Sequence, residues 1–251
     1  MFIIVNKEQS MALKMNLDRL VKERSYDPTV PFPIPESELC TRFCALYTGA
    51  VNDVMREFVL MNQTLPHDLI PLIDGKKFVG PAFTIKSTKD PSVKPEEEMK
   101  FRAQMLTAIP PGAVCVWDTN RDDLASHFGG MMTNAVLKRG AVGAVVDGGI
   151  RDVHQILEKE FPIFYRYRTP NGLLGRARII EYQVPIQIGT VIIYPGDIVF
   201  ADYDGVLIIP RARAYEILLR AEELVGFEKN IETWIRQGQS ALEVVEKGGY
   251  F

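Results

Sequence analysis

Arg151 and Asp152 stand side by side, just after an apolar run (Ala141 to Val146) and the triplet Asp147-Gly148-Gly149. A guanidinium can grip a carboxylate with two parallel hydrogen bonds. A carboxylate offers hard oxygen to a divalent cation such as Mg²⁺ or Mn²⁺. Shortly before them, Gly129 and Gly130 precede Met131 and Met132, where a helix begins. The first amides of a helix have no intrahelical acceptor and favour an anion. Together these residues suit a small carboxylate or 2-oxo acid, with the cation at Asp152 stabilising charge that develops on a keto oxygen. The plainer reading of Arg151-Asp152 is a surface ion pair, or a helix cap at Asp152.

Several elements must position this set. Residues 131–139 read as a helix with Gly140 as its left-handed stop. Residues 141–146 read as a buried strand, and Asp147-Gly148-Gly149 as a sharp turn that brings backbone close to a ligand. Upstream, Ser37 and Thr48 are candidate caps of two helices. Residues 78–85 form a strand with Gly80-Pro81 at its start or at a bulge. Pro95 opens a helix to residue 108, acidic early and basic late, as the macrodipole favours. Residues 113–117 form a strand, and Asp118 to Asp123 a polar loop without the pattern of a calcium loop. Downstream, residues 153–160 form a short helix and 162–167 a strand. Residues 184–188, 191–194, 198–201 and 206–209 are hairpin strands. The longest helix spans 211–237, with Gly226 as a kink or close contact and Gly238 as its stop. Residues 241–247 form a last short helix. Residues 1–36 read as an arm, with a helix over 7–25 and extended chain through four prolines up to Pro35. Residues 37–251 form a single α/β domain.

The chain has 251 residues, 47% hydrophobic and 24% charged, and a net charge of −3. That is ordinary globular composition, and nothing in it suggests nucleic-acid binding. No apolar run reaches bilayer length, and the expected location is cytoplasmic. Cys40 and Cys44 share a helix face and read, with Cys115, as buried thiols rather than a disulfide or metal set. His67, His127 and His154 lack metal spacing; His127 lies near enough to Gly129 to reach the site, though a structural or solvated role is its plainer reading. Dinucleotide, P-loop and nucleophile-elbow motifs are absent. Without a Gly-rich nucleotide loop, methyl transfer is not expected.

Gly129 to Met132, Arg139-Gly140, Val145-Val146-Asp147-Gly148 and Arg151-Asp152, followed by PGDIVFADYDGVLIIP at 195–210, resemble the regulator of ribonuclease activity A family. That family includes the 4-hydroxy-4-methyl-2-oxoglutarate aldolases. The resemblance extends more faintly from about Leu46 to the C-terminus. It implies a three-layer β/β/α swivelling-domain-like fold with a long C-terminal helix, assembled as a homotrimer or dimer of trimers. It implies that Arg151 binds a pyruvate moiety, that the amides of Met131 and Met132 meet its carboxylate, and that Asp152 holds the metal. A glutamate of a neighbouring subunit's C-terminal helix is implied to contact metal-bound water; Glu228 aligns best, with Glu232 and Glu223 as alternatives. An acid near Asp53 also recurs in the family, although a solvated helix face is the plainer reading of Asp53. One departure stands out: the aldolases carry an acid where this chain has Gly130, which leaves Asp118, Asp122 or Asp123 as substitutes. The resemblance implies a metal-dependent lyase or, alternatively, a non-catalytic regulator that binds ribonuclease E.

Overall fold

The computed structural model describes residue 27 and residues 29–251. The helix expected over 7–25 lies outside the described residues. Two helices come first, α1 (Glu36–Cys44) and α2 (Thr48–Glu57). There follow β1 (Ile70–Pro71), β2 (Phe78–Lys89), α3 (Pro95–Ala108), β3 (Val114–Asp118), β4 (Ser126–Phe128), α4 (Gly130–Arg139), β5 (Gly143–Ile150), α5 (Val153–Glu158) and β6 (Ile163–Arg168). The chain continues through β7 (Ala177–Tyr182), the hairpins β8 (Ile186–Ile188) with β9 (Val191–Ile193) and β10 (Ile198–Asp202) with β11 (Gly205–Ile209), then α6 (Ala214–Arg236) and α7 (Ala241–Glu246).

Strands β2, β3, β5 and β6 pair in parallel, and β4 joins β5 in the same sense. β10 and β11 extend the sheet past β2, and β7 crosses antiparallel onto the end of β2. Strand alternation sends Val114 and Val116 to one face and Cys115 and Trp117 to the other. Trp117, Val146 and Tyr165 pack under Met105 of α3, Ile109 just after it, Val136 of α4 and Ile156 of α5. Val114, Val116 and Val145 pack against Ile186, Ile188, Val191 and Ile193 of the β8–β9 hairpin. A third core joins the far sides of β10 and β11 to α1, α2 and α6, through Phe43, Val51, Phe200, Leu207 and Ile217. Helices thus cover one face of the sheet and a second β layer the other, as the three-layer reading expects. Each large side chain sealed in these cores contributes roughly 1.5–3 kcal/mol.

Several local readings need correction. Asp147-Gly148-Gly149 does not turn the chain: β5 runs through it, buried along its whole length. The glycines are there for packing. A Cβ on Gly148 would stand 2.9 Å from the Thr119 side chain, and one on Gly149 would stand 2.6 Å from the Tyr167 ring and 2.7 Å from the Ala125 carbonyl. Thr48 is not a cap; it opens α2, and its hydroxyl and amide reach Asp202 at 2.6 and 2.7 Å. Pro35, not Ser37, occupies the cap position of α1. Gly226 puts no break in α6, and Cys44 is exposed. From the expected arm, Phe32 and Ile34 pack on this chain's own third core.

Candidate active site

The parallel strands end where the expected site residues begin. β4 ends at Phe128 and α4 starts at Gly130, with Gly129 as a cap residue that supplies no side chain. β5 ends at Ile150, directly before Arg151 and Asp152. The Arg151 amide donates to the Phe128 carbonyl at 3.0 Å and ties the two strand ends together. Carboxyl ends of parallel strands are where open α/β sheets place ligands, because helix N-termini converge there.

Asp152 sits at the cap position of α5 with φ of 53°, a left-handed conformation that aspartate tolerates better than most residues. Yet its carboxylate does not cap α5. It crosses to α4, where Oδ2 accepts from the Gly130 amide at 3.2 Å and lies 3.6 Å from Arg151 Nε. Oδ1 makes no hydrogen bond with the described residues, and the side chain is 37% exposed. The amides of Met131 and Met132, next along α4, likewise lack an intrahelical acceptor. A Cβ on Gly129 would sit 2.9 Å from Asp152 Oδ2 and 3.0 Å from Arg151 Cγ, so the close approach of the two segments requires glycine there.

These groups line one cavity of about 210 Å³. Gly129, Met131, Met132, Arg151 and Asp152 are all in its wall, so five of the sequence-expected residues converge. Gly130 lies behind the wall, buried. A side chain there would run into Gln155, whose Cδ is 2.7 Å from the position of a Gly130 Cβ. Where the resemblance leads one to expect an acid, this chain thus has a glycine with the Gln155 side chain filling the space beside it. The three loop aspartates do not substitute at the wall. Asp118 accepts from the Asn120 amide at 2.8 Å, Asp123 pairs with Lys89 at 2.6 Å, and Asp122 holds His127.

Sequence reasoning underrated His127 and missed Arg102, both of which line the cavity. His127 Nε2 lies 2.9 Å from Asp122 Oδ2, with both side chains almost wholly buried. Burial alone would raise the Asp122 carboxyl. The His127 ring, the Leu124 amide and Lys89 outweigh it and hold the carboxyl below its usual range. An ionised Asp122 requires a proton on Nε2, and His127 Nδ1 has no partner among the described residues. Arg102 is bound to the buried Glu98 at 2.8 Å. The four-residue spacing of Glu98 and Arg102 was the available signal.

Glu228 is elsewhere in the chain. It sits half-buried on α6, accepting hydrogen bonds from Tyr47 and from Tyr250, the latter at 3.0 Å. It does not line the cavity of its own chain. Glu223 instead pairs with Arg220 and Glu232 with Arg236, while Asp53 pairs with Arg56. No cluster of three metal-ligating side chains occurs among the described residues. No helix among them is long and apolar enough to cross a membrane.

A layered α/β fold with an arginine–aspartate pair facing a helix N-terminus defines a recognisable class. The chain belongs to the RraA-like, aldolase/RraA family, whose model matches residues 48–208. It is 30% identical over 188 residues, 75% of this chain and 84% of the other, to a protein of Halalkalibacterium halodurans named "Putative 4-hydroxy-4-methyl-2-oxoglutarate aldolase". It is 34% identical over 173 residues to protein DlpA of Legionella pneumophila, covering 69% of this chain but spanning only 28% of that longer protein. A solved chain described as a novel cellulase from microbes of the gut ecosystem superposes with a TM-score of 0.82 at 48% identity, covering 88% of this chain and 99% of the other. RraAS2 of Streptomyces coelicolor, described as an unusual member of the RNase ES inhibitor RraA family, superposes with a TM-score of 0.69 at 26% identity, covering 79% and 98%.

Proposed function

We propose that the chain is a divalent-metal-dependent carbon–carbon lyase that cleaves a small 2-oxo acid, in the manner of an aldolase or a decarboxylase. The observation that carries this reading is the convergence of Arg151, Asp152 and the open end of α4 on one cavity. Arg151 grips the carboxylate of the acid, and the Met131 and Met132 amides add donors to it. The same donors stabilise negative charge as it develops beside the carboxylate while the carbon–carbon bond breaks. Mg²⁺ or Mn²⁺ suits Asp152, whose Oδ1 is open while Oδ2 is fixed by the Gly130 amide. Magnesium keeps several waters, so one protein carboxylate suffices. When bound, the cation supplies Lewis acidity toward the keto oxygen. Glu228 would act in a neighbouring copy's site within a trimer or a dimer of trimers, oriented by Tyr47 and Tyr250. The cellulase description is not carried over, because Arg151 and the amides at the start of α4 suit an anion, which a neutral glycoside does not present.

The test is pyruvate release from 4-hydroxy-4-methyl-2-oxoglutarate and from oxaloacetate, each with and without Mg²⁺. Metal-dependent pyruvate from the first supports the aldolase; from oxaloacetate alone, it supports a decarboxylase, in keeping with the acid replaced at Gly130. No pyruvate from either contradicts the lyase reading. The likeness to RraAS2 favours a second reading, a regulator that binds ribonuclease E. Stable capture of the purified ribonuclease by a chain without turnover would decide for it.

A further inference from the structure

We propose that Gly172 is a positioning residue for Arg151: its bare backbone leaves the space in which the guanidinium is set for the ligand. The inference rests on the carboxylate-gripping role given to Arg151 above. Packing, not hydrogen bonding, places the Arg151 side chain. It is 45% exposed, its Nε lies 3.6 Å from Asp152 Oδ2, and its guanidinium makes no hydrogen bond with the described residues. A long side chain left that free loses rotamer entropy when a ligand orders it, at the expense of affinity. Two glycines border it. A Cβ on Gly129 would lie 3.0 Å from Arg151 Cγ and 3.5 Å from Nε, along the stem. A Cβ on Gly172 would lie 2.7 Å from Nη1 and 3.6 Å from Cζ, at the head.

Gly172 belongs to the loop between β6 and β7, and hydrogen bonds fix that loop on several sides. The Thr169 amide donates to the carbonyl of Ile150, the residue before Arg151, at 3.1 Å. The Asn171 carbonyl accepts from the Ser126 amide at 2.8 Å, and Asn171 Nδ2 donates to the Leu124 carbonyl at 3.1 Å. Arg176 Nη1 donates to the Gly172 carbonyl at 2.9 Å. Leu173, next in the loop, lines the cavity. The loop is thus tied to β4 and to the end of β5, the two strands that lead into the site. The turn itself does not call for glycine, because Gly172, unlike Gly140 and Gly175, is not in the left-handed region. Its Cβ position has only Arg151 atoms within 4 Å, chain neighbours aside, among the described residues. A methyl 2.7 Å from Nη1 is roughly 1 Å inside a comfortable contact. The loop is bonded in place and the guanidinium is not, so the guanidinium gives way.

The experiment is calorimetric titration of pyruvate, with Mg²⁺ present, into the wild type, Gly172→Ala, Arg151→Lys and the double variant. Gly172→Ala should weaken pyruvate binding by about tenfold, within the roughly 10²-fold that a 1 Å misplacement can cost. It should melt no lower than the wild type, because the methyl meets only the end of a movable side chain and glycine's backbone freedom is reduced in the unfolded chain. Arg151→Lys keeps a cation, but its chain ends about where Cζ stands, 3.6 Å from the methyl position. Adding Gly172→Ala to Arg151→Lys should therefore change pyruvate affinity by less than about twofold. A distorted loop would instead weaken binding equally in both backgrounds. Equal losses in the two backgrounds overturn the role of Gly172 while leaving the small-acid site intact. So does unchanged binding by Gly172→Ala, or a Gly172→Ala protein that melts well below the wild type or does not fold. Failure of the wild type to bind pyruvate overturns the role of Arg151, and this inference with it.

Discussion

The parallel strands carry a cavity at each end, and the two differ in kind. At the amino ends of β2, β3 and β5 lies the larger one, about 420 Å³, with Cys40, Cys44, Pro81, Pro111 and Val142 among its lining residues. Its wall is mostly apolar, and helix α4 ends beside it, where Gly140 donates its amide and accepts one from Gly112. At the carboxyl ends lies the smaller one, with two arginines, one aspartate and the start of the same helix. The contrast follows from helix direction. The positive end of α4 and its unpaired amides face one cavity, and its negative end faces the other. On the proposed reading, chemistry on a small anion falls to the cavity that the positive end of α4 faces.

The contrast can be broken by substitution. Arg151→Gln should reduce turnover by about 10²–10³-fold, the scale of losing one donor to developing charge. Cys44→Ser in the other cavity should leave steady-state rates within about twofold, since it alters no charge near the site. Comparable losses from both would dissolve the distinction between the two ends.

A smaller effect is expected from the shared scaffold. Asp197 accepts from the Tyr194 amide at 2.9 Å and the Arg211 amide at 3.0 Å, yet burial pushes its pKa up to about 6. The folded value exceeds the unfolded one, so its stabilising contribution is complete below about pH 4 and is lost as pH rises through about 6. The loss is on the order of 3 kcal/mol. Urea unfolding of the wild type and Asp197→Asn across pH 4–7 should show this slope only in the wild type.

Two glycines sharpen the account of the site itself. Gly149→Ala should cost about 2 kcal/mol in thermal unfolding, because the new methyl meets both a ring and a backbone carbonyl. Gly130→Ala should cost about 1 kcal/mol, less because the Gln155 side chain can swing aside. That cost should vanish in the Gln155→Ala background. If it persists there, Gln155 is not what fills the place of the missing acid.

The sequence made much of this visible, where local rules and tertiary packing agree. Pro95 does open α3, Gly140 does stop α4 with φ of 83°, and the Asp202–Gly205 turn does close a hairpin. The Arg151-Asp152 pair and the two methionine amides were legible because few core positions tolerate such residues after a buried strand. Asp147-Gly148-Gly149 misled because glycine marks turns and close packing alike, and only the positions of Thr119 and Tyr167 tell which. The short β4 was hidden, since three residues are too few for a period to show. Arg102 reads in the sequence as any helix-surface arginine, and only the fold carries it to the wall of the cavity that Arg151 also lines. Whether Glu228 meets Asp152 depends on a second copy of the chain, which no single sequence positions.

The most direct measurement is a crystal structure of the protein soaked with Mg²⁺ and pyruvate. Pyruvate should appear in the smaller cavity, its carboxylate on Arg151 and the Met131 and Met132 amides, with the cation on Asp152 Oδ1. Pyruvate seated in the larger cavity by Cys40 and Val142, or a cation bound away from Asp152, would contradict the account.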